Sequence, residues 1–318
     1  MPRRGGLSKE RAALGVDLGG TKIAAGLLIG ERVVGFRERP TPREGGRAVV
    51  EAIVELARAV LRDRRAVVGV GTPGPLDYAR GVVRFAPNVP GLSDFPLQRV
   101  LSERLGLPVV LENDANAAAL AEHHLGAARG ARSSLYLTVS TGIGGGMVVA
   151  GRVLRGAFGQ AGEIGHLVVD PDGPLCACGS RGCLEALASG RALARDAAYV
   201  FGHAVDVPEL FSLDEPRARA LVAASARWVG RALASVQRVF DPEVVVLGGG
   251  VALGGGERYL RAVRRAYREA MVGWRPASVR RARLGRRVGV VVAALAALLE
   301  VGGVADRSGF PLGEDNAG

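Results

Sequence analysis

The chain has 318 residues, room for about two domains, and its 48% hydrophobic and 23% charged content excludes a disordered chain. Its 47 glycines follow no three-residue period, which excludes a collagen-like rod. The net charge is +11, yet Lys9 and Lys22 are the sole lysines among 42 basic residues, so arginine is the default cation and a lysine stands out.

Residues 12–22 read as a strand entering a Gly-Gly turn; 23–29 form a second strand, and 33–34 a third after a short turn. Apolar residues at 49, 50, 53, 54, 56, 57, 60 and 61 predict an amphipathic helix over 49–61. A strand at 67–70 runs into the loop Thr72-Pro73-Gly74-Pro75, followed by a helix at 97–105, a strand at 109–111 and a helix at 115–125. Then the pattern restarts: a strand at 135–141, a glycine turn at 142–146, and strands at 147–150 and 153–154. Shifted by 121 residues, the first block overlies the second, a sign of duplicated architecture. Helices are expected at 185–201, 217–240, 257–270 and 290–300, a strand at 244–247, and a fraying tail at 302–318. The domains so drawn are 12–116, with helix 290–300 packed on it, and 117–289. Two such halves would enclose a cleft, where ligands tend to sit.

The longest apolar stretch, 288–299, is shorter than the roughly twenty residues of a bilayer span. No apolar stretch follows Arg3 and Arg4 as in a signal peptide. A cytoplasmic protein without membrane contact is expected.

Several clusters could do chemistry. Asp17-Leu-Gly19-Gly20-Thr21-Lys22 could cradle phosphate oxygens on backbone amides, with Asp17 toward Mg²⁺ and Lys22 toward a phosphate. Alone it favours a hairpin turn with a solvated lysine, and it is not a Walker A loop. Thr141-Gly142-Ile-Gly144 and Gly248-Gly249-Gly250 are further glycine-rich segments at predicted strand ends, and three together favour a nucleotide. Asn113-Asp114 lies where a strand hands over to a helix. Asp114 could accept a proton from a substrate hydroxyl, although the segment alone favours a helix cap. His166, Cys176, Cys178 and Cys183 have the types and spacing of a tetrahedral structural zinc site, the alternative being free thiols in a tight turn. His123, His124 and His203 lack such company and are expected at the surface.

Taken together these residues resemble the ROK family of bacterial sugar kinases and related repressors. The resemblance runs from about Leu14 to about Gly250. It rests on the Asp17–Lys22 loop, Thr72-Pro-Gly74-Pro, Asn88, Asn113-Asp114, Glu163-x-Gly-His166 and the cysteine motif ending at Glu185. It implies an α/β actin-like ATPase (ribonuclease H-like) fold, two domains closing on ATP and a hexose. It further implies Asp114 as general base for the 6-hydroxyl, and Gly74, Asn88, Asn113, Glu163, His166 and Glu185 on the sugar. Asp17, Gly19, Gly20, Thr21 and Lys22 would face the transferred phosphate and Mg²⁺. Thr141, Gly142 and Gly144 would line the β-phosphate side, with Gly248, Gly249 and Gly250 near adenosine. Ser140 departs from the family's usual glycine, and Arg286-Arg287-Val288-Gly289 departs from its acidic, Ala-Gly pattern.

The activity implied is an ATP-dependent glucokinase, with mannose, fructose, N-acetylmannosamine or N-acetylglucosamine as alternative sugars and a dimer or tetramer as the assembly. A transcriptional regulator of the family would carry a DNA-binding domain of roughly 60 residues ahead of this region, and 16 residues precede Asp17. An actin-like assembly protein would need neither the cysteines nor Glu163 and Glu185. The basic stretch Arg280, Arg281, Arg283, Arg286 and Arg287 lacks interleaved aromatics, so a solvated face is expected rather than a nucleic-acid site.

Overall fold

The computed structural model describes residues 12–30, 32–62, 64–86 and 88–284, together with Val290, Ala294, Ala297 and Leu298. The expected tail at 302–318, most of the expected helix 290–300 and the departure at 286–289 lie outside the described residues. The chain divides into two compact units: residues to Asp114 with those from Arg287 onward, and Ala115–Arg286.

In the first unit β1 (Ala12–Leu18), β2 (Lys22–Ile29) and β3 (Arg32–Pro40) form an antiparallel meander. After α1 (Gly46–Leu61) come β4 (Val67–Thr72), the hairpin strands β5 (Leu76–Asp77) and β6 (Val82–Val83), α2 (Leu97–Leu105) and β7 (Val109–Asn113). β4 and β7 extend the sheet in parallel, in the order β3-β2-β1-β4-β7. β1 and β4 lie inside the sheet and carry nearly continuous apolar residues, as central strands do. α1 buries Val49, Val50, Ile53, Val54, Ala57, Val60 and Leu61 in the same core. The helical residues Val290 and Ala294 are also buried in this unit, the Val290 carbonyl only 1.8 Å from where a Cβ on Gly15 would stand.

α3 (Asp114–His124) opens the second unit from its second residue, Ala115, onward. Its sheet comprises β8 (Ser133–Val139), β9 (Ile143–Val149), β10 (Arg152–Val153), β11 (Val244–Gly248) and β12 (Ser278–Arg281), in the order β10-β9-β8-β11-β12. The 3₁₀ turn Ile164–His166 and helices α4 (Leu184–Ala188), α5 (Gly190–Phe201), α6 (Val207–Ser212), α7 (Pro216–Phe240), α8 (Gly250–Gly254) and α9 (Gly256–Ala270) complete it. α7 and α9 pack together and bury Val229, Leu233, Tyr259, Val263 and Tyr267. The 121-residue offset carries β1 onto β8 residue for residue, and the two sheets share one strand order.

Four expectations need correction. The expected glycine turn at 142–146 is mostly strand: β9 starts at Ile143 and includes Gly144, Gly145 and Gly146. A Cβ on Gly146 would meet the Ala115 carbonyl, the Asn116 Cα and the Ala119 Cβ at 2.8 Å each, so the glycines let α3 lie against the strand. The helix expected at 185–201 breaks at Ser189, whose side chain caps α5 by accepting from the Ala192 amide. β12, α6 and α8 were not foreseen. β12 holds Arg280 and Arg281 in a strand parallel to β11, and both guanidiniums donate to backbone carbonyls, of Ala127 and Leu253. His123 is buried at 6% exposure rather than at the surface, its Nδ1 2.8 Å from Ser134 Oγ. Glu122, beside it and 1% exposed, accepts the amides of Ala127, Arg283 and Leu284.

Candidate active site

In the first unit, the turn joining β1 to β2 is closed by the Gly19 amide donating to the Lys22 carbonyl at 3.0 Å. It is tied from outside by Thr41, whose hydroxyl donates to the Gly19 carbonyl at 2.6 Å. A Cβ on Gly20 would sit 2.9 Å from the Asn88 Cβ and carbonyl, so Gly20 and Asn88 are in contact. Asp17 lies at the end of β1, paired with Ala24 and Gly71. Burial raises its carboxyl above the ordinary carboxylate range, opposed by the Lys22 charge. A buried acid short of solvent suits a cation partner. The Lys22 ammonium pairs with Glu38 at 2.9 Å, both half exposed.

Thr72 and Asn113 are register partners at the ends of the parallel strands β4 and β7, the position where open α/β sheets bind ligands. Gly74 has φ +87°, and a Cβ there would fall 1.6 Å from the Phe85 carbonyl, so only glycine fits. Its carbonyl accepts from Asn113 Nδ2 at 3.3 Å, bringing those two expected sugar ligands together. Asp114, next in sequence and exposed, is the first residue of α3. Beneath them Glu112, 1% exposed, accepts the Tyr78 hydroxyl at 2.6 Å and the Asn113 amide at 3.0 Å. Tyr78 was missed by sequence reasoning, because one tyrosine in a two-residue-strand hairpin leaves no pattern.

In the second unit, Thr141 and Gly142 form the turn between β8 and β9, closed by the Ser140 amide donating to the Gly142 carbonyl at 2.8 Å. Gly248 ends β11 opposite Thr138 of β8. Gly249 takes φ +89°, and a Cβ on it would lie 2.4 Å from the Val139 carbonyl. Gly250 then starts α8. The glycine segments 141–142 and 248–250 therefore stand side by side at adjacent strand ends. Gly144, expected in the loop, belongs to β9.

Glu163 precedes the 3₁₀ turn and its carbonyl accepts the His166 amide. Its carboxyl is raised, first by desolvation and then by the like charge of Glu185, against the pull of His166. The three expected sugar-side groups Glu163, His166 and Glu185 thus form one electrostatic cluster. Glu185 lies in the first turn of α4, and its Oε2 accepts the Ile143 amide at 2.8 Å.

Ligand atoms of His166, Cys176, Cys178 and Cys183 all lie within 4.8 Å of one another. Cys176 Sγ is 3.6 Å from His166 Nδ1, and Cys178 Sγ is 3.6 Å from Cys183 Sγ. A tetrahedral zinc with its usual bond lengths sets sulfurs about 3.8 Å apart and sulfur and nitrogen about 3.5 Å apart. The donor set therefore fits a zinc ion. The Cys176 amide donates to the Ser180 carbonyl at 2.7 Å and the Gly182 amide to Pro174, a knuckle that turns the thiols inward.

Among the described residues, no helix is long and apolar enough to cross a membrane. A ROK family model matches residues 13–299. A ROK hexokinase structure from Thermus thermophilus is 58% identical, with 92% of this chain and 99% of that chain covered and a TM-score of 0.87. A ROK family glucokinase from Streptomyces griseus, solved with glucose and AMPPNP, is 38% identical over 90% of this chain and 99% of its own, with a TM-score of 0.78. Among curated relatives, a glucokinase of Streptomyces coelicolor is 39% identical over 309 residues, 88% of this chain and 96% of that protein. With its two like sheets, its paired glycine turns and its His–Cys knuckle, the chain belongs to the ROK family and has the two-domain actin-like ATPase fold.

Proposed function

We propose that this protein is an ATP-dependent hexose kinase that transfers the γ-phosphoryl group of ATP to the 6-hydroxyl of glucose. The observation that carries the reading is the junction of Gly74, Asn113 and Asp114 at the ends of β4 and β7, in a chain similar to a glucokinase solved with glucose and AMPPNP.

The first unit supplies Asp114, which orients the hydroxyl and takes its proton late in a loose phosphoryl-transfer transition state. It also supplies Gly74, Asn88 and Asn113 to the sugar, and the amides of Gly19, Gly20 and Thr21 to the transferred phosphate. Asp17 would hold Mg²⁺, whose charge offsets that of the phosphates. Lys22 would exchange Glu38 for a phosphate, a cheap exchange because exposed ion pairs contribute only about 0–1 kcal/mol. The second unit supplies Glu163, His166 and Glu185 to sugar hydroxyls. Thr141 and Gly142 face the β-phosphate, Gly144 assisting through its β9 backbone, and Gly248–Gly250 receive adenosine.

His166, Cys176, Cys178 and Cys183 would hold a structural zinc ion that joins the loop after Glu163 to the start of α4. With Nδ1 facing the thiols, His166 Nε2 is left for a sugar hydroxyl. Three free cysteines suit the reducing cytoplasm. A dimer or tetramer belongs to the same proposal through the family likeness.

The test is a panel of glucose, mannose, fructose, N-acetylmannosamine and N-acetylglucosamine with Mg-ATP, scored by ADP release. Glucose should give the highest kcat/KM. A higher value for another hexose would move the assignment to that sugar, and no hexose-dependent release would sink it.

A further inference from the structure

We infer that Glu185 serves two ligands at once: it binds the sugar and also fixes the turn that receives the nucleotide's phosphates. This rests on the proposed hexose kinase reading and adds a second role to one of its residues.

Residues 140–143 have one internal bond, from the Ser140 amide to the Gly142 carbonyl. Three further polar groups, the Ser140 and Thr141 carbonyls and the Ile143 amide, are held by the α4–α5 segment. The Gly190 amide donates to the Ser140 carbonyl at 2.7 Å, and the Arg191 amide to the Thr141 carbonyl at 3.2 Å. The Ile143 amide donates to Glu185 Oε2 at 2.8 Å. Two of these bonds are backbone to backbone and follow from the fold, whereas the third comes from a side chain expected to bind sugar. An N–H donated to a carboxylate is roughly twice as strong as a neutral hydrogen bond.

The contact is close. A Cβ on Gly142 would stand 2.4 Å from Glu185 Oε2 and 3.8 Å from Oε1, so Oε2 is the oxygen packed on the turn and Oε1 the one directed away. Glu185 is itself held firmly. It sits in the first turn of α4, whose Leu184 amide donates to the Leu167 carbonyl at 2.8 Å and whose preceding residue is Cys183 of the knuckle. A sugar hydroxyl bound at Oε1 therefore fixes the carboxylate that positions the Ile143 amide. Sugar occupancy and the order of the 140–143 turn become linked inside one unit.

The experiment measures AMPPNP affinity by calorimetry with no sugar present. For a residue acting on sugar alone, Glu185→Ala leaves that affinity unchanged. The double role expects a loss of about tenfold, the effect of deleting one charge-assisted bond. Glu185→Gln keeps an oxygen able to accept the Ile143 amide, so it should restore AMPPNP affinity to within about threefold while glucose binding stays weak. Hydrogen exchange on the wild type needs no variant: glucose alone should slow exchange across 140–143. Wild-type AMPPNP affinity in both variants, or no change in exchange with glucose, would overturn the double role. Loss of glucose binding in those same variants would still uphold the sugar-kinase reading. A wild type that bound neither ligand would remove both readings together.

Discussion

At the scale of single residues, Asp114 is the proposed general base and His123 has the clearest pH response. Asp114→Asn keeps the size of the side chain at an exposed first helical position, so the fold and sugar affinity should change little. Turnover should fall about 10²–10⁴-fold, the usual worth of a positioned base; a steady-state assay with near wild-type kcat would refute the role. His123 is neutral in the fold: burial first, then the neighbouring His124, lowers its pKa from 6.5 to about 4. The unfolded chain takes up this proton near pH 6.5, the folded chain only near pH 4. The group's contribution to stability is thus complete above pH 6.5 and is lost as pH falls towards 4. His123→Gln should flatten the fall in Tm across that window, a difference of about 1–3 kcal/mol at its acid end; an unaltered Tm–pH curve would contradict the assignment. Nothing in the sequence marked this histidine as buried. Its place on α3 follows from packing against β8, which lies outside any local pattern.

At the scale of elements, the His–Cys knuckle and α4 form one piece. Its four residues stand out in the sequence as three cysteines between 176 and 183 with a histidine upstream, and the fold brings them together. What sequence could not show is where the knuckle leads, namely into α4, Glu185 and the Ile143 amide. Cys176→Ser should remove zinc, lower Tm and raise the KM for glucose, because the start of α4 loses its anchor. Metal analysis should find about one zinc per chain in the wild type and much less in the variant. A wild type free of zinc would refute the metal site. The glycine run 142–146 carried the opposite lesson. Glycine at a turn and glycine under a crossing helix look alike in sequence, and only the contact of Gly146 with α3 separates them. The same limit hid β12, whose single valine, Val279, followed by two arginines reads as a charged surface until β11 offers it a partner.

At the scale of the whole molecule, the duplicated plan was legible because strand and turn signals recur at one offset. Glycine-containing turns mark where the strands of each meander reverse, although β3 runs on to Pro40 rather than ending near residue 34. The later strands and helices of each half depend on distant partners, and there the reading lost resolution: α6 and α8 were missed, and one helix became two. The proposed site residues stand out in the sequence as motifs, whereas the residues beneath them do not. Tyr78, which donates to Glu112, and Glu122, which accepts the 283 and 284 amides, belong to no motif and act through these hydrogen bonds. The central claim is that all of this serves phosphoryl transfer to a sugar hydroxyl. The most direct measurement is phosphorus and carbon NMR of the products after incubation with Mg-ATP and glucose. The account expects a phosphate ester on the 6-hydroxyl in step with ADP. ADP without a sugar ester, or an ester on another hydroxyl, would contradict it.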